Sequence, residues 1–71
     1  MKYRMVIEWS EEDSAYVVFL PEWVGRVYQP VTDGATYEEA AHKGASVLET
    51  LVRVANEDGQ PLPQHITTAV A

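Results

Sequence analysis

The sequence contains no cysteine, so neither a disulfide nor a thiolate zinc site can stabilise this chain of 71 residues. A domain of this size buries only about 60% of the surface that its unfolded chain exposes. The remaining common means of stabilisation is association with further copies. We therefore expect residues 1–71 to form one small domain that assembles into a homo-oligomer.

Long apolar runs are also lacking. No stretch approaches the roughly 18 to 20 residues that a membrane-spanning helix needs. The basic start, Met1–Met5, runs directly into Val6–Glu8 without an apolar segment of secretory length. The sequence therefore predicts a cytoplasmic protein that does not associate with membranes.

Positive charge is scarce, since five lysines and arginines face eleven aspartates and glutamates, for a formal net charge of -6. A chain of this charge repels the phosphate backbone of nucleic acids, so we expect no direct nucleic-acid binding. The charge is complementary to a basic protein partner. The alternative interpretation is that it serves solubility alone.

Recognisable catalytic motifs are absent, and so are metal and phosphate-binding motifs. His42 and His65 have no cysteine or regularly spaced carboxylate with which to form a site, and both are predicted to be solvated. The consecutive carboxylates Glu11–Asp13 would diverge in a hairpin loop. Only Glu8 and Glu39 offer a pair of carboxylates for a metal-dependent nuclease. We predict a protein that is not an enzyme and holds no cofactor or metal.

Three strands are predicted in the first half of the chain. Alternation from Lys2 to Trp9 predicts a half-buried strand, with an apolar face that includes Trp9 in the core. After the polar loop Ser10–Ser14, the residues Ala15–Leu20 are apolar on both faces, as in a central strand. Trp23–Gln29 is predicted to be the third strand, and Pro30 confines that strand to an edge of the sheet.

One long helix is predicted in the second half. Thr36–Glu39 has the pattern of a capping box, and a stripe of apolar and small residues follows at helical spacing from Tyr37 to about Asp58. Gly59 and Pro61 end the helix. The preceding segment, Thr32–Ala35, is predicted to be a loop that leads into it.

Two features of the predicted helix indicate its contacts with other parts of the protein or with a partner. Gly44, within the helix, costs about 1 kcal/mol relative to alanine, which indicates a close approach of the helix to the sheet. Val47 and Val54 form a second apolar line that a partner could cover.

In the tail, Ile66–Val70 is either a short fourth strand or a docking arm. The fold class is α+β, with the order β-β-β-α.

Partner contacts are predicted at the edge strand. Trp23 lies next to Pro21 at the start of that strand, as either a lid on the core or an interface anchor. The candidate contacts are Trp23, Val24, Arg26 and Tyr28. Because a single helix covers one face of a three-stranded sheet, the second apolar face of the central strand also requires cover, which self-association would supply.

Several spaced motifs resemble the HicB-like antitoxin domain. The first half contributes Val6-Ile7-Glu8-Trp9, Glu11-Glu12-Asp13, Tyr16-Val17-Val18 and Leu20-Pro21-Glu22. The second half contributes Gly25-Arg26-Val27, Thr36-Tyr37-Glu38-Glu39-Ala40 and Glu57-Asp58-Gly59-Gln60-Pro61-Leu62-Pro63. The resemblance extends over residues 3–63, nearly the whole chain.

The resemblance implies a partial ribonuclease-H-like fold that lacks the nuclease carboxylates, and a homo-oligomer that binds and blocks a small HicA-type toxin, an mRNA ribonuclease. Two departures stand out. Tyr28–Ala35 is longer than the family's usual link to the helix. The 71 residues hold no separate DNA-binding domain, so direct autoregulation is not expected. The alternative function is an orphan homo-oligomeric domain with a small-ligand groove or a scaffold role.

Overall fold

The computed structural model describes residues 3–65, which form an α+β domain. Its elements are strand β1 (Val6–Ser10), strand β2 (Ala15–Phe19), a single 3-10 turn (Pro21–Trp23), strand β3 (Thr32–Gly34) and helix α1 (Tyr37–Glu57). The order β-β-β-α is as predicted. The predicted strand or arm at Ile66–Val70 lies outside the described residues.

The three strands form one antiparallel sheet in the order β1-β2-β3, so β2 is central as predicted. Ile7 lies opposite Val18, and Trp9 lies opposite Tyr16. The predicted polar hairpin loop joins β1 to β2, and the Ser10 hydroxyl accepts a hydrogen bond from the Asp13 amide at 3.2 Å. This local bond fixes the turn and therefore the register of the hairpin.

The third strand lies later in the chain than the sequence predicted. Residues 32–34, predicted to be a loop, pair with β2, whereas the predicted strand Trp23–Gln29 is wrong. The Trp23 carbonyl accepts hydrogen bonds from the Arg26 and Val27 amides at 3.0 and 3.3 Å. Backbone groups that are satisfied within a turn are not available to a sheet ladder. Because β3 lies within the link that looked too long, the helix follows its strand after two residues, Ala35 and Thr36.

The segment between β2 and β3, residues 20–31, leaves the sheet and returns to it; we call it the excursion. Pro21 opens the 3-10 turn, where its fixed φ is favourable. Gly25 then takes a φ of +87°, which a residue with a side chain rarely adopts. The return is marked by the Val31 amide, which donates to the Val18 carbonyl at 2.8 Å. The excursion is thus a folded insertion and not an edge strand.

Helix α1 begins and ends as the sequence predicted. The Glu39 amide donates to the Thr36 hydroxyl at 3.0 Å. The Glu39 carboxylate accepts from the Ala35 amide at 3.0 Å, one residue earlier than an ideal capping box. At the other end Gly59 has a φ of +69°, and the Gln60 amide donates to the Ala55 carbonyl at 2.8 Å. Both ends of the helix are therefore capped.

The core lies between the helix, the sheet and the excursion. It is centred on Leu20, Trp23 and Leu48, and half-buried side chains surround these: Tyr3, Met5, Val27, Val31, Val47, Leu51 and Val52. The C-terminal half of α1 therefore packs on the excursion instead of overhanging the sheet. Val47, one of the two valines of the predicted second line, belongs to this core, whereas Val54 is exposed.

Gly44 marks a close approach of α1 to the sheet, as predicted. A Cβ atom at this position would lie 2.8 Å from Met5 Sδ and 2.9 Å from Val18 Cγ1. The missing side chain therefore permits contact between the helix backbone and the sheet. Within residues 3–65, no helix is both long and apolar enough to span a bilayer.

Candidate functional site

The four predicted contact residues lie on the excursion, but they differ in exposure. Trp23 is only 3% exposed and meets Tyr3 edge-to-face at a centroid distance of 5.6 Å. Its indole N–H is buried without a hydrogen-bond partner among residues 3–65. Of the two roles considered for Trp23, the structure shows the core position. Val24 and Tyr28 are exposed, the latter almost completely at 98%.

Arg26 makes contacts within the chain. Its guanidinium donates to the Pro61 carbonyl at 2.7 Å, and its central carbon lies 5.8 Å from the centre of the Trp23 ring. The side chain therefore joins the excursion to the segment after the helix. Val24 and Tyr28 are the more accessible of the four, and their contact with a partner stays a prediction.

A shallow groove separates the excursion from the C-terminal half of α1. Its volume is about 380 Å³, and its apolar lining includes Trp23, Val27, Leu51 and Val54. Arg26 and Gln60 add polar groups. This groove is the feature of the structure that the small-ligand alternative would use.

A second surface, at the opposite end of the sheet, consists of three aromatic rings that the sequence reasoning did not connect. Trp9 meets Tyr16 edge-to-face at 5.1 Å between centroids, and Tyr16 packs on Tyr37 at 4.2 Å with an interplanar angle of 35°. Trp9 is 48% exposed and Tyr37 is 59% exposed, whereas Tyr16 is half-buried between them. We call these residues the aromatic trio.

The prediction that Trp9 belongs to the core is wrong, and the position of the helix gives the reason. Trp9 points to the same face as Ile7, which is the face that α1 covers. However, α1 lies mainly over β3 and β2, and it makes fewer contacts with β1. Trp9 lies near the end of this edge strand, where its ring contacts Tyr16 of β2, and Tyr16 in turn packs on Tyr37, the first residue of the helix.

Negative charge is concentrated around the same end of the molecule. Seven carboxylates lie in the hairpin, in β3 and in the first turn of α1: Glu8, Glu11, Glu12, Asp13, Asp33, Glu38 and Glu39. Among residues 3–65, Lys43 is the one lysine or arginine beside them, and its ammonium lies 3.9 Å from the Glu39 carboxylate. We call this region the acidic end. Its formal charge of -6 equals the net charge of the chain, because the other four carboxylates are balanced by Lys2 and three arginines.

The carboxylates considered for a nuclease site do not come together. Glu8 lies opposite Val17, and both point away from the face that α1 covers. Glu39, on the helix, accepts from the Ala35 amide and faces Lys43. In the part of the chain that the structure describes, no group of three His, Asp or Glu side chains could hold a metal ion. The structure therefore does not bring Glu8 and Glu39 together.

The two histidines occupy different surroundings. His42 is exposed on α1, where it lines a shallow depression with Glu38 and Glu39. His65 stacks on Tyr3 at a centroid distance of 4.5 Å. The Tyr3 hydroxyl in turn donates to the Pro63 carbonyl at 2.6 Å. His65 therefore helps to hold the segment after the helix against the residues that precede β1.

The face of the sheet that points away from α1 carries a short apolar line. Val17 is buried, and Val6 and Phe19 are half-buried. The exposed carboxylates Glu8 and Asp33 lie opposite Val17, one on each neighbouring strand. The central strand is thus apolar on both faces, as predicted, but charged residues limit the width of the second face. Self-association through it stays a prediction.

A comparison of the chain with known protein families, curated proteins and solved structures finds no match in any of the three. The resemblance to the HicB-like domain therefore rests on the residues and motifs of this sequence.

Proposed function

We propose that this chain is a protein-binding module, a HicB-like antitoxin that neutralises a small basic HicA-type ribonuclease by covering its RNA-binding surface. The observation that carries the proposal is the concentration of the formal charge of -6 at the acidic end. A ribonuclease surface that attracts RNA is positively charged. A surface with grouped carboxylates is complementary to it in sign.

Grouped charge also favours rapid binding. Complementary fields steer two proteins together and raise the association rate above the value for neutral surfaces. An inhibitor that acts by occlusion needs no catalytic group of its own. The exposed carboxylates of Glu11–Asp13, on a turn that local hydrogen bonds hold in place, suit this role.

The arrangement of the HicB-like motifs supports the same proposal. Glu11-Glu12-Asp13 forms the hairpin turn, Tyr16-Val17-Val18 lies in the central strand, and Thr36-Tyr37-Glu38-Glu39-Ala40 starts the helix. The order β-β-β-α agrees with the fold that the resemblance implies. This order of elements is the support that the fold gives to the proposal.

The test is light scattering of the purified protein mixed with the small basic protein encoded beside it, together with a ribonuclease assay of that partner. We expect a stable complex in which RNA cleavage is suppressed. A matched pair of variants adds a control: Glu11→Gln with Glu12→Gln at the acidic end, and Glu49→Gln with Glu57→Gln elsewhere on α1. The first pair should weaken inhibition more strongly. Full ribonuclease activity with saturating wild-type protein would refute the proposal.

The second candidate is an orphan homo-oligomer, and the exposed apolar surface of the excursion favours it. Val24 is 70% exposed and Tyr28 is 98% exposed, beside the groove on α1. Light scattering of the protein alone tests this candidate, with Tyr28→Ser combined with Val24→Ser as the variant. An oligomer that this variant dissociates would support it, and a monomeric wild-type protein would exclude it.

A further inference from the structure

We propose that the aromatic trio is the surface that receives the partner, and that it takes arginine or lysine side chains from a basic protein segment against Trp9 and Tyr37. This inference rests on the proposed function and specifies its contact surface. None of these three residues was among the predicted contacts.

The first argument is the exposure of large aromatic rings. About half of the Trp9 surface and more than half of the Tyr37 surface are accessible to solvent, at 48% and 59%. Tyr16 lies between them and contacts both rings, at 5.1 and 4.2 Å. Clustered rings that hold each other in place lose little freedom on binding, and tryptophan and tyrosine are the residues most enriched among binding hot spots.

The second argument is the charge around the rings. The acidic hairpin loop joins the strand position after Trp9 to the position before Tyr16, and two glutamates follow Tyr37 directly. An aromatic face attracts a cation through its quadrupole. Carboxylates beside the ring attract the same cation through their negative charge. A guanidinium or ammonium group is therefore the chemical group that satisfies both features at once.

The same charges disfavour the other occupants. Nucleic acids stack on aromatic rings, but the phosphates would approach a surface with a formal charge of -6. A second copy that met this surface with its own would bring an equal negative charge. The excursion of a second copy is a poor basic partner, because Glu22 lies beside Arg4 there and the Arg26 guanidinium already donates to the Pro61 carbonyl. A basic protein segment is the occupant that the acidic end fits.

The two tryptophans provide the experiment, because one lies in the trio and the other in the core. A proton–nitrogen spectrum of the labelled protein contains two indole N–H signals, which a Trp9→Phe variant assigns. The probe is a blocked oligoarginine peptide, and a blocked oligoglutamine peptide is the uncharged control. We expect oligoarginine to shift the Trp9 signal in a saturable manner while the Trp23 signal stays in place. A shift of Trp23 alone, or no saturable shift of Trp9, would overturn the inference.

Variants with a matched control separate ring contact from general attraction. Trp9→Ala and Tyr37→Ala should each weaken oligoarginine binding by about fivefold to tenfold, the loss typical of a contact residue in an interface. Tyr28→Ala removes a ring that is more exposed but lies away from the acidic end, and it should leave the affinity unchanged. An unchanged Trp23 signal shows that each variant is folded. Equal losses for Tyr28→Ala and Tyr37→Ala would contradict the inference.

The same spectrum distinguishes a failure of the inference from a failure of the proposed function. If the neighbouring basic protein forms the inhibited complex while the Trp9 signal does not move, the contact surface is wrong and the function stands. If oligoarginine binds at Trp9 but no neighbouring protein is inhibited, the contact surface stands and the antitoxin function fails.

Discussion

The side-chain amide of Gln29 pairs with the backbone of Leu20 as a neighbouring strand would. Its oxygen accepts from the Leu20 amide at 2.9 Å, and its nitrogen donates to the Leu20 carbonyl at 2.9 Å. Leu20 is fully buried, and among the described residues its amide has Gln29 as its partner, whereas its carbonyl also accepts from the Trp23 amide at 2.9 Å. One side chain thereby closes the excursion at the point where it leaves the sheet.

This pairing predicts that Gln29→Glu destabilises the fold although it hardly changes the shape of the side chain. A carboxylate can accept from the Leu20 amide, but it cannot donate to the Leu20 carbonyl. The second oxygen of this half-buried carboxylate would face the Leu20 carbonyl oxygen without a donor between them, so we expect the free energy of unfolding to fall by about 1–3 kcal/mol. Urea denaturation measures the change. Gln64→Glu, at an exposed position, is the control and should have little effect.

The two glycines that face other elements should respond to alanine in different degrees. A Cβ at Gly44 would meet Met5 and Val18 side chains at 2.8 and 2.9 Å, whereas a Cβ at Gly34 would meet the backbone nitrogen of Ala40 at 2.5 Å. Gly44→Ala gains about 1 kcal/mol of helix propensity but overpacks the core by about 1–3 kcal/mol. Gly34→Ala has no such gain, and the start of α1 would have to move.

We therefore expect Gly34→Ala to lower the thermal midpoint of unfolding much more than Gly44→Ala. Adding Met5→Ala to Gly44→Ala removes the nearest obstructing atom and should recover part of the overpacking cost, beyond the loss that Met5→Ala causes alone. A Gly34→Ala protein as stable as wild type would show that α1 does not lie as close to β3 as described.

The cap of α1 gives a prediction with a control on the same helix. Thr36→Ala removes the acceptor of the Glu39 amide and should lower stability by about 1 kcal/mol. Thr50→Ala removes a hydroxyl that donates only to the Ser46 carbonyl, one turn back. Because alanine favours the helix, Thr50→Ala should leave stability unchanged or raise it by about 0.5 kcal/mol. Equal losses from the two variants, measured by urea denaturation, would contradict the capping role of Thr36.

Quenching of tryptophan fluorescence should reveal the charge around the aromatic trio. Trp9 is accessible and Trp23 is 3% exposed, so the quenchable emission belongs to Trp9. Relative to its quenching of free N-acetyltryptophanamide, each ion reports the local charge: caesium should be favoured and iodide disfavoured at low ionic strength, because the nearby carboxylates attract cations. Added inert salt should reduce this difference by screening. Trp9→Phe should remove most quenching by both ions; a relative preference for iodide in the wild type would contradict the acidic end.

The sequence predicted the elements with strong local signals. The hairpin of β1 and β2 follows from alternation and a polar loop, and α1 follows from its capping box, its stripe and Gly59. The close approach at Gly44 also follows, since a glycine within a helix requires compensation. Each of these inferences depends on residues near one another in the chain.

The incorrect predictions concern positions whose structure depends on contacts with residues distant in the sequence. Trp23–Gln29 has the composition of a strand. In the fold, however, the Trp23 side chain packs against the C-terminal half of α1, and the segment forms turns. Trp9 shares the alternation of a buried face, but the lateral position of α1 leaves it uncovered. The trio itself required the register that pairs Trp9 with Tyr16. A signal was present, since Trp9 and Tyr16 flank the polar loop and a hairpin would pair them.

The hydrogen bond from Tyr3 to Pro63 joins residues 60 positions apart. During synthesis β1 and β2 leave the ribosome first, and their hairpin can form early because its contacts are local. Tyr3 acquires its partner only when Pro63 has emerged, after the whole of α1. The end of the domain that holds Tyr3 and Trp23 therefore closes last, and a nascent chain displays its hairpin and acidic loop before its fold is complete.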